Sequence, residues 1–216
     1  MKDGDEGRFS RVDEESGDCA SLFARNRAWA TAKTINDPTF FSRLIGQQHP
    51  RYFWIGCSDS RVPATEIVDL DPGEMFVHRN VANIASADDP SFSAALQFAV
   101  EVLEVEHVIV VGHYGCGGIQ AAMEPETHDA IGRWLAPIRL LHEKDQAKTV
   151  EPHHLCEQNV VAQVLTLSAN PIVRAAWGRK EKLTLHGWVY AIGDGLLRMV
   201  CDPITAAIPS EQGATA

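Results

Sequence analysis

Tyr52-Phe53-Trp54-Ile55-Gly56 running into Cys57-Ser58-Asp59-Ser60-Arg61, and Val108-Ile109-Val110-Val111-Gly112 running into His113-Tyr114-Gly115-Cys116-Gly117-Gly118, decide the fold. Each is a short aromatic or β-branched run that ends in glycine and polar residues, which is how a buried strand enters a loop. Similar runs occupy residues 75–78 and 183–192. Helical patterns lie between them. Asp89-Pro90 is a cap and first-turn signal for a helix through Glu104, and further helices are expected over 131–141, 154–167 and from Asn170-Pro171 to the stop at Gly178. Strands alternating with helices predict an α/β domain with a mainly parallel β-sheet flanked by helices.

Upstream, the pattern over 20–44 is helical with an apolar stripe of Leu22, Trp29 and Ile35. It breaks at Asn36-Asp37-Pro38, where Asp37 can cap a second short helix carrying Phe40, Phe41 and Leu44. The expected organisation is an acidic flexible leader over 1–20, an N-terminal helical arm over 21–50, a catalytic α/β domain over 51–204 and a C-terminal tail over 205–216. The leader holds seven acids against three bases, and such a composition cannot bury a core.

Charge and composition limit the function classes. The formal net charge of −10 comes without any Lys/Arg-rich run, so nucleic acid is not an expected partner. No apolar stretch approaches the ~18 residues of a membrane span, and the acidic amino terminus lacks a signal-peptide pattern. Five cysteines, an odd number in a chain too large to need staples, read as reduced thiols. A cytoplasmic protein is expected.

In an open α/β sheet, ligands bind outside the carboxyl ends of the strands. Both quoted loops belong at that edge, so Cys57, His113 and Cys116 can converge although more than fifty residues separate the first from the others. Two thiolates and an imidazole suit zinc, and three protein ligands leave a fourth position for water, as a catalytic metal requires. The residues alone leave two other readings open. Cys57 could be a nucleophile with Arg61 holding an oxyanion, or the cysteines could be small core residues beside a tight glycine turn.

The segments Cys57-Ser58-Asp59-Ser60-Arg61-Val62-Pro63, His78-Arg79-Asn80-Val81-Ala82-Asn83 and Gly112-His113-Tyr114-Gly115-Cys116-Gly117-Gly118 resemble the signatures of β-class carbonic anhydrases of bacterial type. Weaker similarity extends from about residue 23 to residue 198. The resemblance implies zinc-dependent, reversible hydration of carbon dioxide to bicarbonate and a proton, in homodimers or homotetramers. It also implies Zn²⁺ on Cys57, His113 and Cys116, with Asp59 and Arg61 as a catalytic pair and Asp59 as an alternative fourth ligand. Gln48, Phe76, Phe98 and Gly117 match substrate-pocket positions, Gln48 reaching across a subunit boundary. Trp54, Arg79 and Tyr190 match a subgroup in which bicarbonate also binds at a second, regulatory pocket. Two alternatives remain at this level. One is a hydrolase of the same fold acting on a CO₂ analogue such as carbon disulfide, and the other is a non-catalytic module that binds zinc or bicarbonate.

Overall fold

The computed structural model describes residues 17–46, 48–144 and 151–206. The chain forms two compact units, Met1–Gln47 and Gln48–Ala216. In the first, α1 (Gly17–Asn36) and α2 (Phe40–Leu44) meet through an aromatic cluster, Trp29 packing edge-on against Phe40 and Phe41. The expected leader over 1–20 lies outside the described residues except for its last four, which open α1. Asp37 lies two positions before the helix cap and does not cap α2 as expected. Its carboxylate accepts from the Thr39 backbone N–H and hydroxyl and pairs with Arg43, so it ties the turn together while Thr39 occupies the cap position.

The second unit is built on a five-stranded sheet of β1 (Tyr52–Cys57), β2 (Met75–Asn80), β3 (His107–His113), β4 (Thr184–Ala191) and β5 (Leu196–Ile204). Their spatial order is β2-β1-β3-β4-β5, with the first four parallel and β5 antiparallel to β4. β1 and β3 are buried along nearly their whole length. Strands covered on both faces read as continuous apolar runs, which is why these two were the clearest in the sequence.

Helices α3 (Ala64–Ile67), α4 (Pro90–Gln97), α5 (Gly117–Met123), α6 (Ala130–Lys144), α7 (Pro152–Ala169) and α8 (Pro171–Gly178) complete the unit. The starts of α4 and α8 follow the expected chemistry. Asp89 accepts from Ser91 N–H and Asn170 from Ile172 N–H, each with proline in the first turn. The helix expected to run on to Glu104 instead changes at Phe98 into a π-helical turn, Phe98–Val102. The main core lies between one sheet face, with Phe53, Ile55, Val108 and Val110, and apolar residues of α4 to α8. A smaller cluster on the other face gathers Trp54, Ala64, Ile109 and Val111, with Tyr52, Trp188 and Tyr190 packed against it.

Two histidines sit within this framework. His78 packs edge-on against Phe92, and His186 contacts His107 across 3.2 Å between ring nitrogens. Burial pushes both below the ordinary histidine value, and the neighbouring His107 adds to the effect at His186. The native state therefore disfavours the imidazolium that the unfolded chain takes up below about pH 6.5. Stability from both groups is present above that pH and is lost as the pH falls toward their folded values. Calorimetry should show Tm falling between pH 7 and pH 5, and falling less steeply in His78→Gln.

Candidate active site

The register places β1 beside β3, so their carboxyl ends open at the same edge. Cys57 is the last residue of β1, His113 is the last of β3, and Cys116 precedes α5 after a turn in which Gly115 adopts φ +71°. All three side chains are buried, and their ligand atoms lie within 4.8 Å of one another. The two sulfurs are 3.8 Å apart. Two thiolates bound at ~2.3 Å to one tetrahedral ion stand ~3.8 Å apart, so the spacing suits zinc.

His113 adds an independent observation. Its Nδ1 faces the Tyr114 carbonyl at 3.2 Å, which places the proton on Nδ1 and leaves a lone pair on Nε2. Nε2 is fully buried and has no hydrogen-bond partner. A buried polar atom without a partner is costly, and a metal ion in the cluster would satisfy it. The two sulfurs are coupled, one favoured as thiolate and the other as thiol. The Cys116 thiol, His113 and the backbone N–H groups of Ala82 and Asp59 favour the Cys57 thiolate against the opposing effect of burial. Cys116 is pushed up by that neighbouring thiolate and by burial.

Asp59 and Arg61 form a two-point pair at the rim. Arg61 Nε donates to Oδ1 at 2.9 Å and Nη2 to Oδ2 at 2.7 Å, while the Arg61 backbone N–H also reaches Oδ1 at 3.0 Å. Arg61 Nη2 further contacts the Gly115 carbonyl at 3.3 Å, joining the pair to the Cys116 turn. These bonds hold the Asp59 carboxyl well below the usual carboxylate range. Its Oδ2 is 3.7 Å from His113 Nε2, so an ionised carboxylate stands beside the lone pair.

The other expected site residues fall into two groups. Gly117 opens α5 directly after Cys116, with open space where a side chain would project. Arg79 and Tyr190 also lie near this end, whereas Trp54 sits mid-strand, three residues before Cys57. Arg79 is paired in register with Gly56, and its Nε donates to the Cys57 carbonyl at 2.8 Å. Trp54 is fully buried in the smaller cluster, against which Tyr190 packs, and its indole Nε1 has no hydrogen-bond partner. A side chain at Gly56 would overlap that Nε1. Gln48, Phe76 and Phe98 are not brought to the Cys57 cluster within one chain. Gln48 precedes the start of β1, about 16 Å of strand away from Cys57. Phe76 lies beside Phe53 near the strand starts and packs at a tilt against Phe98 at a centroid separation of 5.9 Å.

A family model described as "Carbonic anhydrase" matches residues 52–197. The chain is 41% identical over 184 residues to a carbonic anhydrase of Emericella nidulans, covering 82% of this chain and 81% of that one. The chain belongs to the β-carbonic anhydrases. Among solved structures it resembles a Coccomyxa β-carbonic anhydrase in complex with acetazolamide, with TM-score 0.84, 37% identity and coverage of 88% and 90% of the two chains. It also resembles one of two tetrameric β-carbonic anhydrases from Sordaria macrospora, with TM-score 0.81, 34% identity and coverage of 85% and 97%.

Several supports of this carbonic anhydrase site carry no local sequence signal. Cys156 on α7 donates its S–H to the His113 carbonyl at 3.3 Å. Tyr114, between two of the clustered residues, donates to Glu157. The tyrosine hydroxyl is pushed up to about 12, chiefly by that bond, and stays neutral. A Cys-Glu pair on an otherwise ordinary helix becomes legible only once the helix is docked.

Proposed function

We propose that the chain interconverts carbon dioxide and bicarbonate on a zinc ion held by Cys57, His113 and Cys116. The observation that carries the site assignment is the buried, unpartnered His113 Nε2 beside two buried thiols at the sulfur spacing of a tetrahedral ion. When bound, zinc acidifies water so that hydroxide can attack CO₂ near neutral pH, an effect for which carbonic anhydrase is itself the standing example.

The chain's residues supply orientation and charge. Arg61 keeps the Asp59 carboxylate ionised and fixed, and with zinc bound that carboxylate would accept the hydrogen bond of the attacking hydroxyl. The same carboxylate, 3.7 Å from His113 Nε2, would be the alternative fourth ligand. No side chain stands at Gly117, directly after Cys116, and this open space supports its backbone as a bicarbonate contact. Gln48, Phe76 and Phe98 occupy the strand-start end of their own chain, and this supports a role in the site of a second copy, where the two rings wall a pocket for a nonpolar substrate. The active species is then a homodimer or homotetramer. In the arm, Leu22, Phe23, Trp29, Ile35 and Ile45 are exposed, which supports assembly through it. Trp54, Arg79 and Tyr190 form the regulatory bicarbonate pocket, its supports being the unpartnered indole N–H and the nearby guanidinium.

All five cysteines are free thiols, which supports a cytoplasmic chain. No described helix is long and apolar enough to cross a membrane. The bound Asp59–Arg61 pair weighs against a module without turnover, and nothing in the site favours a CO₂ analogue over CO₂.

Metal analysis and stopped-flow CO₂ hydration on the same purified sample test the reading. About one zinc per chain is expected, and Cys57→Ser and Cys116→Ala should lose zinc and activity together. Full activity with metal retained in either variant would remove that residue from the ligand set. Serine at 19, 156 or 201 should leave zinc in place. Deleting residues 1–44 should cause dissociation or aggregation by light scattering; a soluble, active truncation of unchanged oligomer mass overturns the arm's role. Arg79→Ala should keep its zinc yet be less suppressed by added bicarbonate at low pH, and suppression equal to the parent's overturns the regulatory pocket.

A further inference from the structure

Tyr114 stands between two of the ligand residues, and each of its polar groups is engaged. Its N–H donates to the Tyr190 carbonyl on β4 at 3.1 Å. Its hydroxyl donates to Glu157 Oε1, and its ring lies against that of His153 at a centroid separation of 4.3 Å, both partners belonging to α7. Its carbonyl faces His113 Nδ1 at 3.2 Å, the contact that leaves the His113 lone pair on Nε2. Tyr114 is only partly buried, so water could serve its hydroxyl. Solvation alone does not account for a carboxylate placed against it.

The chain beyond Tyr114 does not fix this carbonyl by itself. Gly115 follows at φ +71°, and because glycine accepts either sign of φ, the peptide joining the two residues has no steric preference that holds its carbonyl toward the imidazole. Anchors outside the turn must supply it. Arg61 holds the far side through the Gly115 carbonyl at 3.3 Å. On the near side the anchors come from the first turns of α7. Glu157 and His153 hold Tyr114, and Cys156 donates its S–H to the His113 carbonyl at 3.3 Å. The helix reaches this strand end because Gly112 leaves room for it; a Cβ there would stand 2.7 Å from Val160 Cγ2 and 3.1 Å from Cys156 Sγ.

We infer that Glu157 is a positioning residue of the metal centre: by holding the Tyr114 hydroxyl it keeps the Tyr114 carbonyl on His113 Nδ1, and so keeps His113 in the tautomer and orientation that present Nε2 to the ion. The inference rests on the zinc reading above and extends it to a carboxylate whose bond is to Tyr114 rather than to a ligand side chain. A metal-bound histidine almost always donates its other ring N–H to an outer partner, and loss of such a partner costs roughly 10–100-fold in metal affinity. Here that partner is a backbone carbonyl, so what a substitution can remove is the brace behind it.

The test uses the full chain, loaded with zinc or with Co²⁺. Bound cobalt gives a sulfur-to-metal charge-transfer band and moves the His113 Nδ1–H proton resonance far outside the ordinary range, so this hydrogen bond can be read directly. Tyr114→Phe, which removes a single oxygen, and Glu157→Leu should each shift that resonance, speed its exchange with water and release zinc to a chelator about 10-fold faster. The double variant should release zinc no faster than the faster single variant, because both act through one bond. Glu157→Gln keeps an acceptor oxygen and should hold the resonance near its parent position. Val164→Ala, further along α7, should lower Tm and leave the resonance in place. If Glu157→Leu does not fold, Tyr114→Phe still decides the matter. An unmoved resonance in Tyr114→Phe overturns the positioning role while leaving the zinc site standing. Additive release rates in the double variant, or a shift of equal size in Val164→Ala, overturn it as well. A parent that shows neither the band nor the resonance overturns the zinc reading and this inference with it.

Discussion

The parallel pairing of β1 with β3 at the centre of the sheet is the constraint on which the rest depends. Each strand carries a ligand at its last position, and parallel pairing alone sends both last positions to the same edge. Burial of the two strands fixes their register, because a slip of one residue would turn an entire apolar set to the wrong face. Packing in the main core therefore sets ligand geometry indirectly. The stacking of Phe53, Ile55, Val108 and Val110 under the helices holds Cys57 and His113 a few ångströms apart.

Around that convergence the molecule places polar groups where apolar ones would pack more easily. His113 Nε2 is buried without a partner, the Cys156 thiol is turned onto a carbonyl, and two amides interrupt the apolar face of α7. A charged pair then closes the rim, with Arg61 reaching from Asp59 to the Gly115 carbonyl. Water is excluded from the sulfurs and imidazole but admitted at the carboxylate, and a site that must handle both a nonpolar gas and a hydrated anion needs that division.

Much of this was legible in the sequence, for identifiable reasons. β1 and β3 are continuous apolar runs, and their polar exits carry the cysteines and histidine in strings short enough to read. The proline-marked starts of α4 and α8 are local chemistry and appear where expected. β5 was not anticipated, because Arg198, Asp202 and Pro203 interrupt its pattern and its antiparallel pairing to β4 is decided by tertiary contact. The same holds for the π-helical turn at Phe98, whose widened hydrogen-bond pattern leaves no mark in composition. The buried amides Asn159 and Gln163 of α7, which bond the Ala82 carbonyl and the Ala85 N–H, were hidden in another way. Four-residue spacing of amides on a helix usually means a solvated face, and only the docked loop shows that these two are interior.

The packing of Trp54 over Gly56 has a consequence for how this protein can vary. The indole already fills the volume into which any side chain at position 56 would grow. The two positions consequently share one allotment of space, and residue 56 cannot grow while residue 54 keeps its indole. A lineage that enlarges residue 56 must first shrink residue 54, passing through a state with a void beneath the sheet. Covariation between these neighbours should therefore be steep and one-directional, a pattern of descent written by a single steric exclusion.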